Sequence, residues 1–154
     1  MFSDFDTFPF MVGGAATPIT HLHPSTIQMF QLWQVYLHNV NPLLKIFHAP
    51  TLQVQIVGAG ADLAKLGRPL EALIFSIYLI AVKSMTEEKV QSTLGEPKST
   101  ILDRYYRASQ QALVNAEFMR SNDLMVLQAF ILCLVSITNC QYEPIAAMLI
   151  YHSP

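Results

Sequence analysis

Few residues in this chain have types and spacings that suit chemistry. His21 and His23 stand in HxH spacing, which suits two ligands of one metal ion, but no acidic or thiol partner lies near them, so they read as part of a polar loop. His38 and His48 lie on either side of Pro42, and each has the chemistry of a general base. Neither has a serine or cysteine nucleophile in context, nor an acidic group at a spacing that would orient it, so they read as satisfied or surface histidines. Cys133 and Cys140 share a helix face too far apart to bridge and fall in one apolar run, where a cysteine behaves as a small hydrophobe. Gly58 to Asp62, GAGAD, resembles a phosphate-binding loop only faintly, since no strand and helix pattern surrounds it and no lysine follows in the required place; a glycine-broken helix end explains it. Arg104, Arg107 and Arg120 suit an acidic partner but read as a solvated helix face. No catalytic, cofactor-binding or metal-ligating set emerges.

Composition narrows the classes further. The chain has 154 residues, enough for one domain that buries roughly 70% of its unfolded surface without metal or disulfide staples. Charged residues are 13% and hydrophobic residues 52%, against a usual charged share of about 25%, which excludes disorder and coiled coil. Nine Lys and Arg against eleven Asp and Glu give a net charge of −2, which removes the electrostatic footprint of unassisted nucleic-acid binding. Two cysteines exclude a disulfide framework and a cluster of four or six thiolates, and fit a reducing compartment. The first ten residues carry Asp4 and Asp6 and have no basic start, unlike a secretory signal or a transit peptide. Leu124 to Tyr142 is uncharged and nearly long enough for a membrane span. Gln128, Ser136, Thr138, Asn139 and Gln141 would enter the hydrocarbon, so a buried core helix is the better reading.

The elements that must position these residues are helical. Residues 1–23 form an irregular leader with four phenylalanines among Gly and Pro, ordered only where it packs on something. Ser25 or Thr26 starts a helix that buries Ile27, Phe30, Trp33, Leu37 and Val40 and stops at Pro42. A second, weaker helix begins with Thr51 as cap and ends near Ala61. The third has Pro69 in its first turn and is apolar nearly all round, the signature of a helix in the middle of an α-bundle. Thr86 to Ser99 reads as an exposed loop. A fourth helix, Thr100 to Arg120, buries Leu102, Tyr105, Tyr106, Ala112, Leu113, Ala116 and Met119 and carries an Asp103 to Arg107 pair outside. Ser121 or Asn122 caps a fifth, buried through Leu124, Leu127, Phe130 or Ile131, and Leu134, which forms an αα-hairpin with the fourth across a short link. A last turn or two begins near Pro144.

One run carries more than helix periodicity. Leu32, Trp33, Tyr36, Val40, Asn41, Pro42, Leu43, Lys45, His48, Pro50 and Thr51 resemble the opening of the fungal-specific transcription factor domain, the helical middle region of fungal binuclear zinc-cluster regulators. The likeness continues through Leu73 to Ala81 with Tyr78, then Tyr106, Arg107, Gln111, Ala112 and Leu113, then Ser121, Asp123, Leu124, Leu127, Gln128 and Ala129. Four blocks stand in the same order between residue 24 and about residue 135. Two departures accompany the match: the family's six-cysteine zinc cluster has no counterpart here, and the family domain continues into further helices where this chain reaches Pro154.

The expected architecture is therefore all-α, an irregular helical bundle of about five helices with an αα-hairpin, incomplete relative to the family domain. Residues 24–154 form a partial regulatory domain after the 1–23 leader, and the chain looks like a truncated regulator. The resemblance implies transcription regulation in the nucleus, of a secondary-metabolite gene cluster, by a module without catalysis, cofactor or DNA-binding domain of its own; residues alone place it only inside the cell. Its partners are a protein or a second copy of itself. The expected interaction surface is Phe130, Ile131, Leu134, Leu149 and Ile150, an apolar set without later helices to cover it. Other classes are a small-molecule effector pocket beside the third helix near Trp33 and Tyr36, a membrane-associated protein, and an inactive product. Protein purified without a tag is expected to carry no stoichiometric zinc by elemental analysis and to give no sequence-specific duplex shift at physiological salt. One zinc per chain, or a specific shift, would contradict this reading.

Overall fold

The computed structural model describes residues 15–138, and among them the chain forms six α-helices and no strand. Helix α1, Thr26–Val35, starts at a capping box: Ser25 Oγ accepts from the Gln28 N–H, and the Gln28 side chain accepts from the Ser25 N–H. It runs directly into a π-helical turn, Tyr36–Val40, closed by the Asn41 N–H on the Tyr36 carbonyl. The buried face is Met29, Leu32, Trp33, Tyr36 and Val40; of the expected stripe Trp33 and Val40 are in the core, whereas Ile27 is 72% exposed and Phe30 and Leu37 are half-buried. Both stripes are apolar and repeat at helical spacing, so periodicity fits either. The wider π turn also shifts the register that carries Tyr36 and Val40 into the core.

Helix α2, Ala49–Ala61, is capped by His48 rather than Thr51, with Pro50 in its first turn; Thr51 is already helical and its Oγ1 lies 2.7 Å from His48 Nδ1. Gly60 lies close against α1: a Cβ there would stand 3.1 Å from Phe30 Cζ, so a larger residue would need the Phe30 ring to shift by a few tenths of an ångström.

Helix α3, Arg68–Lys83, is the centre of the molecule. Pro69 sits in the first turn, and every residue from Glu71 to Lys83 is buried. α1, its π turn, α5 and α6 all pack on this helix, with α5 and α6 making the largest interfaces. Its C-terminal end is closed by a cation from another element: Lys98 Nζ donates to the Lys83 carbonyl at 3.2 Å and the Met85 carbonyl at 2.6 Å. Burial lowers the pKa of that ammonium, and Glu87 opposes the shift.

The expected loop from Thr86 to Ser99 is instead mostly a helix, α4, Glu87–Leu94. Thr86 Oγ1 caps it by accepting from the Lys89 N–H, Glu87 and Glu88 fill the first turn, and Gly95 ends it at φ +77. Its dense charge faces water while Val90 and Leu94 enter the core. The Glu87 carboxylate then accepts from the Lys98 N–H at 2.7 Å, so it meets the first amide of the next helix.

Helix α5, Lys98–Asn115, ends five residues before the expected limit. The Phe118 N–H returns to the Leu113 carbonyl and the Glu117 N–H to the Val114 carbonyl, a Schellman closure with Glu117 at φ 52 where glycine is usual. Met119 is consequently exposed, and Leu102, Tyr106 and Ala116 are half-buried; the full core positions are Ile101, Tyr105, Ala108, Ser109, Ala112 and Leu113. The Asp103 to Arg107 pair is present at 3.2 Å on the outside.

Helix α6, Leu124–Thr138, is capped by Asp123 rather than Ser121 or Asn122: its Oδ1 accepts from the Met125 N–H at 2.8 Å. Ser109 lies against Cys133 and Phe118 against Phe130, so α5 and α6 run antiparallel as a hairpin, but each packs more on α3 than on the other. The buried face is Val126, Ala129, Leu132, Cys133 and Ser136, and the expected Leu124, Leu127 and Ile131 point outward. The run is apolar on every side, so spacing alone does not select its inner face.

Trp33, Leu73, Ile77 and Leu113 are all in the core, whereas Leu127 is 52% exposed. In a denaturant titration Leu73→Ala is expected to cost about 2–5 kcal/mol as a cavity-forming change, and Leu127→Ala less than about 1 kcal/mol. Equal losses would mean that the inner and outer faces of α6 are reversed.

Candidate functional site

Two arrangements stand out: a polar junction that fastens the leader to α3 and α5, and the outer face of α6. At the junction, His23 follows the short turn Thr20–Leu22, and its side chain is fully enclosed. The ring rests on Phe75 at a centroid distance of 4.3 Å; Nδ1 lies 3.0 Å from the Tyr78 hydroxyl and Nε2 3.1 Å from a Glu71 carboxylate oxygen. Burial, with Tyr105 and Glu71 nearby, pushes the Tyr78 hydroxyl far above its ordinary pKa, so it keeps its proton and donates to Nδ1. The other nitrogen then carries the hydrogen that is donated to Glu71.

Carboxylate, imidazole and hydroxyl stand in the order of a proton relay, but the terminal hydroxyl belongs to a sealed tyrosine that holds its proton. The arrangement satisfies a buried carboxylate and anchors the leader. His23 is thus not part of a polar loop, while His21 remains exposed.

The leader is fastened a second time at the far end of α5. Asn115 accepts from the Thr17 N–H at 3.0 Å and donates to the Thr17 carbonyl at 2.7 Å, so one side chain pairs with both backbone groups of the leader. Gln111 donates to the Ala15 carbonyl and to Asn115, and Arg68 donates to the Asn115 carbonyl. With Ile19 buried, residues 15–23 are packed against the bundle.

On the other arrangement, Leu124, Leu127 and Ile131 form an i, i+3, i+7 stripe along the outside of α6. Phe130 and Leu134 flank it half-buried, with Phe130 against Phe118 at 5.4 Å. Of the expected interaction set, Ile131 is 37% exposed, and Leu149 and Ile150 lie outside the described residues. The stripe that sequence placed inside thus joins the expected surface.

The remaining chemistry-bearing residues are dispersed. Cys133 is buried and its thiol is pushed up to about 11 by desolvation, with Ser109 opposing; Cys140 lies outside the described residues. His38 and His48 are exposed. The GAGAD run is the end of α2, where Asp62 accepts from the Ala64 N–H. Arg104 makes a two-bond pair with Glu96 at 2.8 and 2.7 Å, and Arg120 is exposed. Among the described residues no three His, Cys, Asp or Glu side chains are grouped to hold a metal, and no helix is long and apolar enough to cross a membrane.

The chain is similar to curated fungal regulators over most of its length. It is 46% identical over 128 residues to the aurofusarin cluster transcription factor aurR2 of Gibberella zeae, covering 82% of this chain and 19% of that protein. It is 46% identical over 115 residues to the transcriptional regulator AacuB of Aspergillus aculeatus, covering 75% and 16%, and 36% identical over 111 residues to the C6 finger domain transcription factor nscR of Trichophyton verrucosum, covering 69% and 16%. The chain belongs to this family of fungal transcription factors. It spans less than a fifth of the length of these relatives. No family model and no solved structure matches it.

Within this family member, the leader's attachment depends on His23. His23→Ala is expected to cost about 3 kcal/mol, because it leaves the Glu71 carboxylate buried without its partner, and to open residues 15–23 to protease under native conditions. His38→Ala, at an exposed position, should do neither. An unchanged cleavage pattern in His23→Ala would show that Asn115 alone holds the leader.

Proposed function

We propose that this chain acts in transcription regulation of a fungal biosynthetic gene cluster, as a helical regulatory module that works through protein contacts. The observation that carries the reading is the 46% identity over 128 residues to a named cluster transcription factor. The relatives named here are transcription factors or regulators, which supports a non-catalytic role. That the relatives are transcription factors supports a nuclear site of action. Two cysteines do not supply a six-cysteine cluster, which supports a role for this segment through protein contacts rather than through a binuclear zinc cluster of its own.

The outer face of α6 is the contact surface this reading favours. Leu124, Leu127 and Ile131 lie on one side of a helix whose other side is committed to α3, and an exposed apolar stripe of that kind suits a protein partner or a second copy of the chain.

In a fungus that carries the gene, deletion or overexpression should change transcript levels of the neighbouring biosynthetic genes, and a fluorescent fusion should accumulate in the nucleus. Leu127→Asp should leave the thermal midpoint within a few degrees of wild type and abolish the transcript effect. Unchanged cluster transcripts on deletion would contradict the regulatory reading. A wild-type response from Leu127→Asp would contradict the α6 surface alone. Concentration-dependent sedimentation that Leu127→Asp suppresses would identify the partner as a second copy.

A further inference from the structure

Between Asp6 and Asp62 the chain has one charged residue, Lys45, which lies in the link between α1 and α2. Neither of these helices carries an Asp, Glu, Lys or Arg, whereas α3, α4 and α5 each carry both signs. The two uncharged helices lie side by side and antiparallel: Gly60, near the end of α2, stands against Thr26 and Phe30 of α1, and Trp33 Nε1 donates to Gln53 Oε1 at 3.1 Å. On the inner side, Ile56 lines a small apolar space together with Met29, Trp33 and Ile74. On the outer side, Val54, Val57 and Ala61 recur at i, i+3 and i+7 along α2, next to Ile27 and Gln34 of α1. Ile27, Val54 and Val57 are 72%, 74% and 55% exposed, and a Cβ on Gly58 would meet open space. Three aliphatic side chains thus stand in water on a face with no charge, and depletion of charge marks the centre of an interface.

We propose that this face pairs with the same face of a second copy of the chain, about a two-fold axis near the middle of α2. Charge selects the occupant. A charged partner finds nothing on this face to match its charge, whereas two copies of an uncharged face bring no like charges together. A two-fold contact is self-complementary, so Val54 and Val57 of one copy meet Val54 and Val57 of the other, and exposed side-chain amides such as Gln31 and Gln34 offer both donors and acceptors around them. Area sets the strength. Two helices side by side, with α2 about 20 Å long, present a face of roughly 20 by 20 Å, about half of the 800 Å² or so that each partner gives to a standard interface. The pairing is therefore weak and concentration-dependent. It leaves the outer face of α6 free and does not depend on the transcriptional reading.

Sedimentation velocity of the full 154-residue chain, from about 10 μM to about 1 mM, should show a monomer–dimer equilibrium with a dissociation constant on the order of 100 μM. Val57→Glu sets two carboxylates near the axis and should weaken the dimer about tenfold or more, with a thermal midpoint within a few degrees of wild type because Val57 is exposed. Val57→Lys should do the same. An equimolar mixture of the two variants should pair again, since opposite charges then face each other across the axis. Val54→Glu and Val54→Lys repeat the measurement if a variant at position 57 loses its fold, and Leu127→Asp on α6 should leave the association unchanged. The proposal is overturned by a chain that stays monomeric at the highest concentration, by association that Leu127→Asp removes and Val57→Glu does not, or by Glu and Lys variants that remain monomeric when mixed.

Discussion

The structure depends on the burial of one helix on all sides. From Glu71 to Lys83, α3 has no face left for water, so its neighbours have to surround it and its polar groups have to find partners inside the protein. Those partners explain much of what the other elements do. Ser76 returns its hydroxyl to the Ala72 carbonyl, and Ser84 donates to the Ala81 carbonyl while accepting from Asn39 of the π turn. Glu71 takes His23 from the leader, and the carbonyls at the other end take Lys98 from α5. Elements distant in sequence are therefore tied to α3 by specific polar contacts as well as by apolar area, which selects one arrangement among the several that apolar packing would tolerate.

Periodicity made α3 legible because its apolar pattern on every side corresponds to burial on every side. It failed where two faces were equally apolar. In α1 the Ile27 stripe and the Met29 stripe differ by a rotation that composition does not resolve, and in α6 the true inner face includes Ala129, Cys133 and Ser136, small residues chosen by close contact with α3 rather than by hydrophobicity. Helix α4 was legible and missed: Thr86 as cap, Glu87 and Glu88 in the first turn and Gly95 after the last residue are start and stop signals, hidden by a charge density that suggested a loop. The role of His23 was not legible, since its partners lie 48 and 55 residues away and no local pattern joins them. Tyr105 was foreseen as buried, and it is 2% exposed.

The layout separates a polar attachment from an apolar face. The end of the bundle near the leader is held by polar contacts at His23 and Asn115, and the outer side of α6 is left apolar. Both rest on α3, which takes His23 through Glu71 and carries α6 on its side. The relatives are much longer than this chain, and the match takes up 19% of one and 16% of another.

Native-state hydrogen exchange tests the central role of α3 most directly. If the remaining helices assemble on it, the amides from Leu73 to Val82 exchange only when the whole domain unfolds, with a free energy equal to that from denaturant titration, while those of α2 and α4 open earlier. Protection in α3 no greater than in α2 would contradict the account, because a helix that opens locally cannot be the element on which the others depend.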